Sequence, residues 1–196
     1  MREIKNLISI VIPVFNESES IGFLLNEVKS VMQGHELNFE LIVVNDGSQD
    51  NTGEVLEDLT LRIEELLVIS LRKNYGQTAA MAAGFDNSKG EIIITLDGDL
   101  QNDPNDIPKL ISEIKQGYDL VCGWRFKRKD KLINRRIPSK IANKLIAKVT
   151  GLKLHDYGCS LKAFKKEIVT DIKLYGELHR FLPVLANIEG ARIKEC

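Results

Sequence analysis

Asp97-Gly98-Asp99 sets two carboxylates either side of a glycine, with Gln101 two positions further on. Hard oxygens of this kind suit Mg2+ or Mn2+, which favour carboxylates combined with substrate phosphates. A metal held by Asp97, Asp99 and the Gln101 carbonyl would neutralise the charge of a departing diphosphate. Two other polar clusters stand out: Pro13-Val14-Phe15-Asn16-Glu17 and Asn45-Asp46-Gly47-Ser48-Gln49-Asp50. Glu17 and Asp46 are suited to accept hydrogen bonds from a nucleobase or a ribose. Each cluster alone is ordinary. An Asp-Gly-Ser after a strand is equally a turn and a helix cap, and Asp-x-Asp is common by chance.

Placement gives the three clusters weight. Each follows an apolar, β-branched run: 8–15, 40–44 and 91–96. Continuous runs of this kind read as strands buried on both faces. Two more strands are expected over 67–71 and 119–124. Helices are expected between them: one capped by Ser18 or Ser20 with Ile21, Leu24, Leu25 and Val28 on one face, one starting at Asp50 or Asn51, one over 77–87, and one from Pro104 to about Gln116. Repeated strand–helix units imply a mostly parallel, doubly wound α/β sheet. Ligands bind such sheets at the carboxyl ends of the strands, so the three clusters should line one crevice. No G-x-G-x-x-G follows the first strand, which disfavours a dinucleotide-binding dehydrogenase, and no phosphate-binding G-x-x-x-x-G-K-[ST] occurs.

After Trp124 the rhythm breaks. Residues 125–148 hold ten basic side chains and one acid, Asp130, so this segment carries +9 of a net charge of −1. The overall balance excludes a globally basic nucleic-acid binder, while the local excess suits a phosphate-rich partner or an anionic membrane surface. A solvated surface helix is the alternative. A helix is expected over 138–150, with Ile137, Ile141, Leu145 and Val149 opposite Lys140, Lys144 and Lys148. Such a helix can lie on a bilayer or simply pack on a core. The N-terminus lacks the features of a signal peptide, and no apolar run reaches the ~18 residues of a membrane helix. Cys122, Cys159 and Cys196 are widely spaced without a C-x-x-C pair, which fits a reducing cytosolic setting. The last residues read as the start of a strand, so the chain is expected to be a fragment of a longer protein.

The segments IPVFNE, VVNDGSQDNT, LRKNYGQTAAMAAGFD, TLDGDLQNDP, GWR and HDYGCSLKAFKKE resemble glycosyltransferase family 2, specifically the polyprenyl-phosphate glycosyltransferases. The resemblance runs along essentially the whole chain, with the motifs in family order. It implies a GT-A nucleotide-diphospho-sugar fold over 1–196 as one catalytic domain. It implies an inverting, metal-dependent enzyme that moves a sugar from a UDP- or GDP-linked donor to a polyprenyl phosphate. By resemblance, Pro13, Asn16, Glu17 and Asp46, with Asp97, hold the nucleotide. Asp97, Asp99 and Gln101 bind Mg2+ or Mn2+, and Arg125, Arg135 and Ser139 meet the acceptor phosphate. Arg136 rivals Arg135. Asp97, Asp99 and Arg125 would carry catalysis, and His179 and Arg180 would face the site. Asn45 departs from the family pattern, where aspartate is frequent. The resemblance further implies a membrane region missing from this chain. The full-length protein would be anchored at the cytoplasmic face, and this chain would be soluble. Homo-oligomerisation is left open.

An acceptor phosphate, with a second pKa near ~6, is already anionic at neutral pH and needs no strong base. A hydroxyl acceptor would need one, for which Asp156 is the candidate; a loop or capping role serves it and His155 equally well. Two alternatives therefore stand beside the leading reading. One is a soluble family 2 transferase acting on a glycan hydroxyl. The other is a nucleotide-sugar binding fragment without turnover.

Overall fold

The computed structural model describes residues 6–125, 151–172, 176 and 178–196. Arg135, Arg136, Ser139 and the helix expected over 138–150 lie outside the described residues. Strands β1 (Ile8–Val14), β2 (Phe39–Asn45), β3 (Leu66–Ser70), β4 (Ile92–Thr95), β5 (Leu120–Cys122), β6 (Lys162–Lys165) and β7 (Ile193–Glu195) form one sheet in the order β3-β2-β1-β4-β6-β5-β7. β1, β2, β3 and β4 pair in parallel, as do β5 and β7. β6 lies between β4 and β5 and is antiparallel to both, so it alone runs against the rest. The mostly parallel sheet is thus as expected, with an antiparallel insertion that the sequence pattern does not mark.

The strands are apolar on both faces because helices cover both. Ile8, Ile10, Ile12 and Val14 of β1 pack on one side with α1 (Ile21–Gly34), α2 (Thr52–Thr60) and α4 (Ile107–Lys115). Val11, Ile42 and Ile93 pack on the other with α3 (Gln77–Asn87), α5 (Lys166–Asp171) and α6 (Leu182–Ile188). Alternation with period two sends successive β1 side chains to opposite helical layers. Short 3-10 turns at Pro104–Asp106 and Leu178–Phe181 precede α4 and α6.

This order has a switch point. The chain steps from β1 to β2 and β3 on one side, then returns to β4 on the other side of β1. The loops after β1 and β4 therefore stand side by side at the carboxyl ends of two adjacent parallel strands, the crevice where such sheets bind ligands. Pro13 is buried next to the carboxyl end of β1. The β1–β4 pairing stops at Val11 and Thr95, so a residue without an N–H is tolerated two residues beyond, at Pro13.

Candidate active site

The loops after β1 and β2 are laced together by side chains that grip backbone. Asn16, at φ 57, receives the Gln49 N–H on its side-chain oxygen (2.7 Å), while its own N–H donates to the Ser48 hydroxyl (2.9 Å). The Glu17 N–H donates to the Thr52 hydroxyl (2.9 Å), which in turn donates to Asp50 (2.5 Å). That hydroxyl, foremost, holds the Asp50 carboxyl down at about 2. Asn51 occupies the N-cap position of α2 without a side-chain cap, and Asp50, one residue earlier, accepts the Thr52 N–H (3.0 Å). Ser20 occupies the N-cap position of α1, but its hydroxyl donates to the Glu17 carboxylate (2.6 Å) instead of capping. Glu17 is thereby oriented, half-buried, at the crevice wall.

Asp46 is buried, and its two oxygens accept the N–H groups of Tyr75 (2.7 Å) and Gly76 (2.8 Å). It thus ties the loop after β3 to the loop after β2. Gly47 makes this docking possible: its φ is +67, and an added Cβ would stand 2.4 Å from the Lys73 carbonyl carbon. Asn45 keeps the same turn closed by accepting the Ser48 N–H (2.9 Å).

The Asp97–Asp99 loop closes from the opposite wall. A Cβ at Gly98 would lie 2.9 Å from Val14 and 3.4 Å from the Glu17 side chain, so this glycine lets the loop press onto the first one. Asp97 accepts from the Gln77 amide at the start of α3 (2.6 Å). Burial raises its carboxyl above the usual range and the neighbouring Asp99 charge adds to this, while the Ser160 hydroxyl, Lys162 and Arg125 pull the other way. Asp99 is exposed and accepts the Gln101 N–H (3.2 Å). Leu100 between them takes φ 59, an uncommon conformation for a side chain of its size. The three polar clusters therefore do converge at one edge of the sheet. Among the described residues, no three His, Cys, Asp or Glu side chains group as a metal site. The donors present fit a divalent ion that draws its remaining oxygens from a diphosphate.

Arg125 reaches the crevice from the end of β5. Its Nε and Nη2 donate to Asp156 (2.9 and 3.3 Å), Nη2 also donates to the Gly158 carbonyl (2.9 Å), and Nη1 lies 3.5 Å from the Gln101 oxygen. Burial alone would lower the guanidinium's pKa, but Asp156 more than offsets it and the net shift is upward. Asp156 is itself buried with both oxygens on the guanidinium. To act as a base it would first have to release Arg125. Its loop is held beside Trp124, whose ring stacks on His155 at 4.4 Å.

Sequence reasoning missed two supporting residues. Ser160 accepts from the Asp97 N–H (3.3 Å) and the Asn102 amide (2.8 Å), and its carbonyl accepts the Thr95 hydroxyl (2.6 Å), so it holds both ends of the Asp-x-Asp loop. Gln77 is the other. Both stood inside motifs already noted, but only the fold brings them to Asp97. His179 is buried, with Nδ1 2.7 Å from the Thr78 hydroxyl, and so braces the start of α3; Arg180 is exposed. The cysteines are free thiols, and burial pushes Cys122 up to about 12. No helix among the described residues is long and apolar enough to cross a membrane.

Comparison with known proteins identifies the fold and the family. Dodecaprenyl-phosphate galacturonate synthase of Rhizobium johnstonii is 48% identical over 199 residues, covering 96% of this chain and 57% of the relative. An undecaprenyl-phosphate 4-deoxy-4-formamido-L-arabinose transferase of Aeromonas hydrophila is 41% identical over 190 residues, covering 96% and 58%. The chain thus spans a little over half the length of these curated relatives. Among solved structures, glucosyl-3-phosphoglycerate synthase from Mycobacterium tuberculosis, in complex with Mn2+, UDP and phosphoglyceric acid, superposes with a TM-score of 0.73 at 21% identity, covering 97% of this chain and 68% of that one. A mannosyltransferase from Pyrobaculum calidifontis, in complex with GDP-Man and Mn2+, gives 0.72 at 18% identity, covering 96% and 54%. The fold is GT-A, as expected. With the Glycosyl transferase family 2 model matching residues 9–173, the chain belongs to glycosyl transferase family 2.

Proposed function

We propose that this chain is the catalytic domain of an enzyme that transfers a sugar, with inversion, from a UDP- or GDP-linked donor to a polyprenyl phosphate at the cytoplasmic face of a membrane. One observation carries the reading: the Asp97–Asp99 loop closes onto the loop after β1, itself laced to the loop after β2, at the switch point of the sheet, with Arg125 3.5 Å from Gln101 at its rim. The names of the curated relatives, both polyprenyl-phosphate sugar transferases, support the acceptor class.

In this reading Pro13, Asn16, Glu17 and Asp46 form the nucleoside wall. Asp46 contributes chiefly by fixing the loop after β3, since both its oxygens already hold backbone N–H groups. Asp97, Asp99 and Gln101 would hold Mg2+ or Mn2+, which when bound offsets charge on the diphosphate. The upward shift of Asp97 fits this role, because a cation there would relieve both its burial and its repulsion from Asp99. Arg125 offers a planar fork of donors matched to a phosphate, and Asp156 holds that fork in place. Arg135 and Ser139 are proposed to complete the acceptor site.

A phosphate acceptor needs orientation and charge stabilisation more than deprotonation. A glycan hydroxyl would need a base, and Asp156 is engaged with Arg125 through both oxygens. This contact favours the lipid phosphate over the glycan. Radiolabelled UDP- and GDP-sugars, incubated with undecaprenyl phosphate in detergent or with an oligosaccharide, test the assignment. Label is expected in the lipid fraction; incorporation into the oligosaccharide alone would refute it.

A further inference from the structure

A residue that no sequence motif marks, Glu195, holds the backbone that carries Asp156, the partner of Arg125. β7 pairs in parallel with β5, with Glu195 opposite Cys122. The ladder continues through Cys196 N–H to the Cys122 carbonyl (3.0 Å) and Trp124 N–H to the Cys196 carbonyl (2.9 Å). This register sets Glu195 beside the point where Trp124 and Arg125 leave β5. The Glu195 side chain is 9% exposed. Its Oε1 accepts the N–H groups of His155 and Asp156, each at 2.8 Å. Its Oε2 accepts the His155 N–H at 2.9 Å and lies 2.7 Å from Nδ1 of the same ring, the ring that stacks on Trp124. One carboxylate thus gathers three donors at the start of the turn that carries Asp156.

We infer that Glu195 is a positioning residue for the transfer reaction: it fixes the 155–156 turn and, through Asp156, aims the Arg125 guanidinium at the rim of the Asp-x-Asp loop. An arginine has several freely rotating bonds, and those rotamers must be restricted before its fork can meet a phosphate in one geometry. Asp156 applies the restriction, but Asp156 is only as fixed as its own backbone. Charge-assisted hydrogen bonds from consecutive N–H groups to a carboxylate are a strong way to hold that backbone. The effect on the acceptor rests on the proposed function. The effect on Arg125 does not.

The test separates the two. In 15N-labelled protein the Arg125 Nε–H resonance is identified by its loss in Arg125→Lys. Glu195→Ala is expected to speed solvent exchange of that proton by about tenfold, the scale of one lost hydrogen-bonded contact, while β1 and β2 amides keep their protection. Glu195→Gln, which retains one oxygen for the two N–H groups, is expected to recover most of it. Affinity for farnesyl phosphate should fall about tenfold in Glu195→Ala with UDP·Mn2+ affinity unchanged, and in an Arg125→Lys background Glu195→Ala should weaken farnesyl phosphate no further. Unchanged Arg125 exchange in Glu195→Ala would overturn the inference. So would loss of protection throughout β1 and β2, which marks a general structural role. A wild-type protein that ignores farnesyl phosphate, yet shows the expected Arg125 response to Glu195→Ala, would sink the acceptor assignment and leave the positioning role standing.

Discussion

The wall of the crevice assigned to the donor is assembled mostly from side chains that grip nearby backbone N–H groups, whereas the wall around Arg125 is assembled from charged groups brought together across the sheet. On the first wall, Asn16, Asn45, Asp46 and Asp50 each close or join loops that leave the ends of adjacent parallel strands. On the second, Arg125 meets Asp156 and Trp124 meets His155, pairs 31 residues apart in the chain. The first wall follows from the strand–helix rhythm itself. The second depends on the antiparallel β6 and on β7 taking their places in the sheet. Under the proposed function, a backbone-docked wall and a charge-held wall suit a reaction in which one substrate is a nucleotide of fixed shape and the other a single anionic group.

If the second wall works through paired charge and fork geometry, Arg125→Lys should cut transfer by about 100-fold, since a lysine keeps the charge but loses the bidentate fork. The loss should appear in the acceptor KM and kcat, with donor affinity unchanged. Activity near wild type would mean that charge alone suffices there. If the first wall works through backbone docking, Gly47→Ala should destabilise the fold by about 2 kcal/mol, combining a left-handed φ with a clash against the Lys73 backbone. Chemical denaturation measures this, and Arg125→Lys should show no comparable loss. The smallest effect concerns Asp97. Its carboxyl is raised in the folded state, so the unfolded chain gives up this proton first, and apo stability falls as pH rises from the unfolded pKa through the folded one. Asp97→Asn should therefore raise the melting temperature slightly at pH 7 without divalent ions. The gain should vanish near pH 3, where both states hold the proton. A lower melting temperature at pH 7 would show that the charged form is stabilised in the fold.

Much of the first wall was legible in the sequence. β1, β2 and β4 lie within a residue or two of their expected bounds, because continuous β-branched runs flanked by turn residues leave little ambiguity. The clusters at Asn16, Asp46 and Asp97 were visible for the same reason. Sheet order was not, since periodicity says which faces are buried but not which strand lies beside which. β6 is four residues long, and its slot between β4 and β5 comes from pairing partners far away in the chain. Ser160 and Gln77 have unremarkable residue types, and their meaning comes only from standing 2.6–3.3 Å from Asp97 and its neighbours. His179 is expected by resemblance to face the site, and Asp156 reads as a base or a loop residue. One braces a helix and the other holds an arginine.

The central claim is that the loops after β1, β2 and β4 share one site for a divalent ion and a nucleoside diphosphate. Calorimetric titration of UDP and GDP, with Mn2+ or with EDTA, into wild type and Asp99→Ala tests it most directly. One of the two nucleotides should bind wild type only with Mn2+, and Asp99→Ala should weaken that binding at least about tenfold, the loss of one carboxylate ligand. Binding that is equally tight in EDTA and in Asp99→Ala would contradict the shared site.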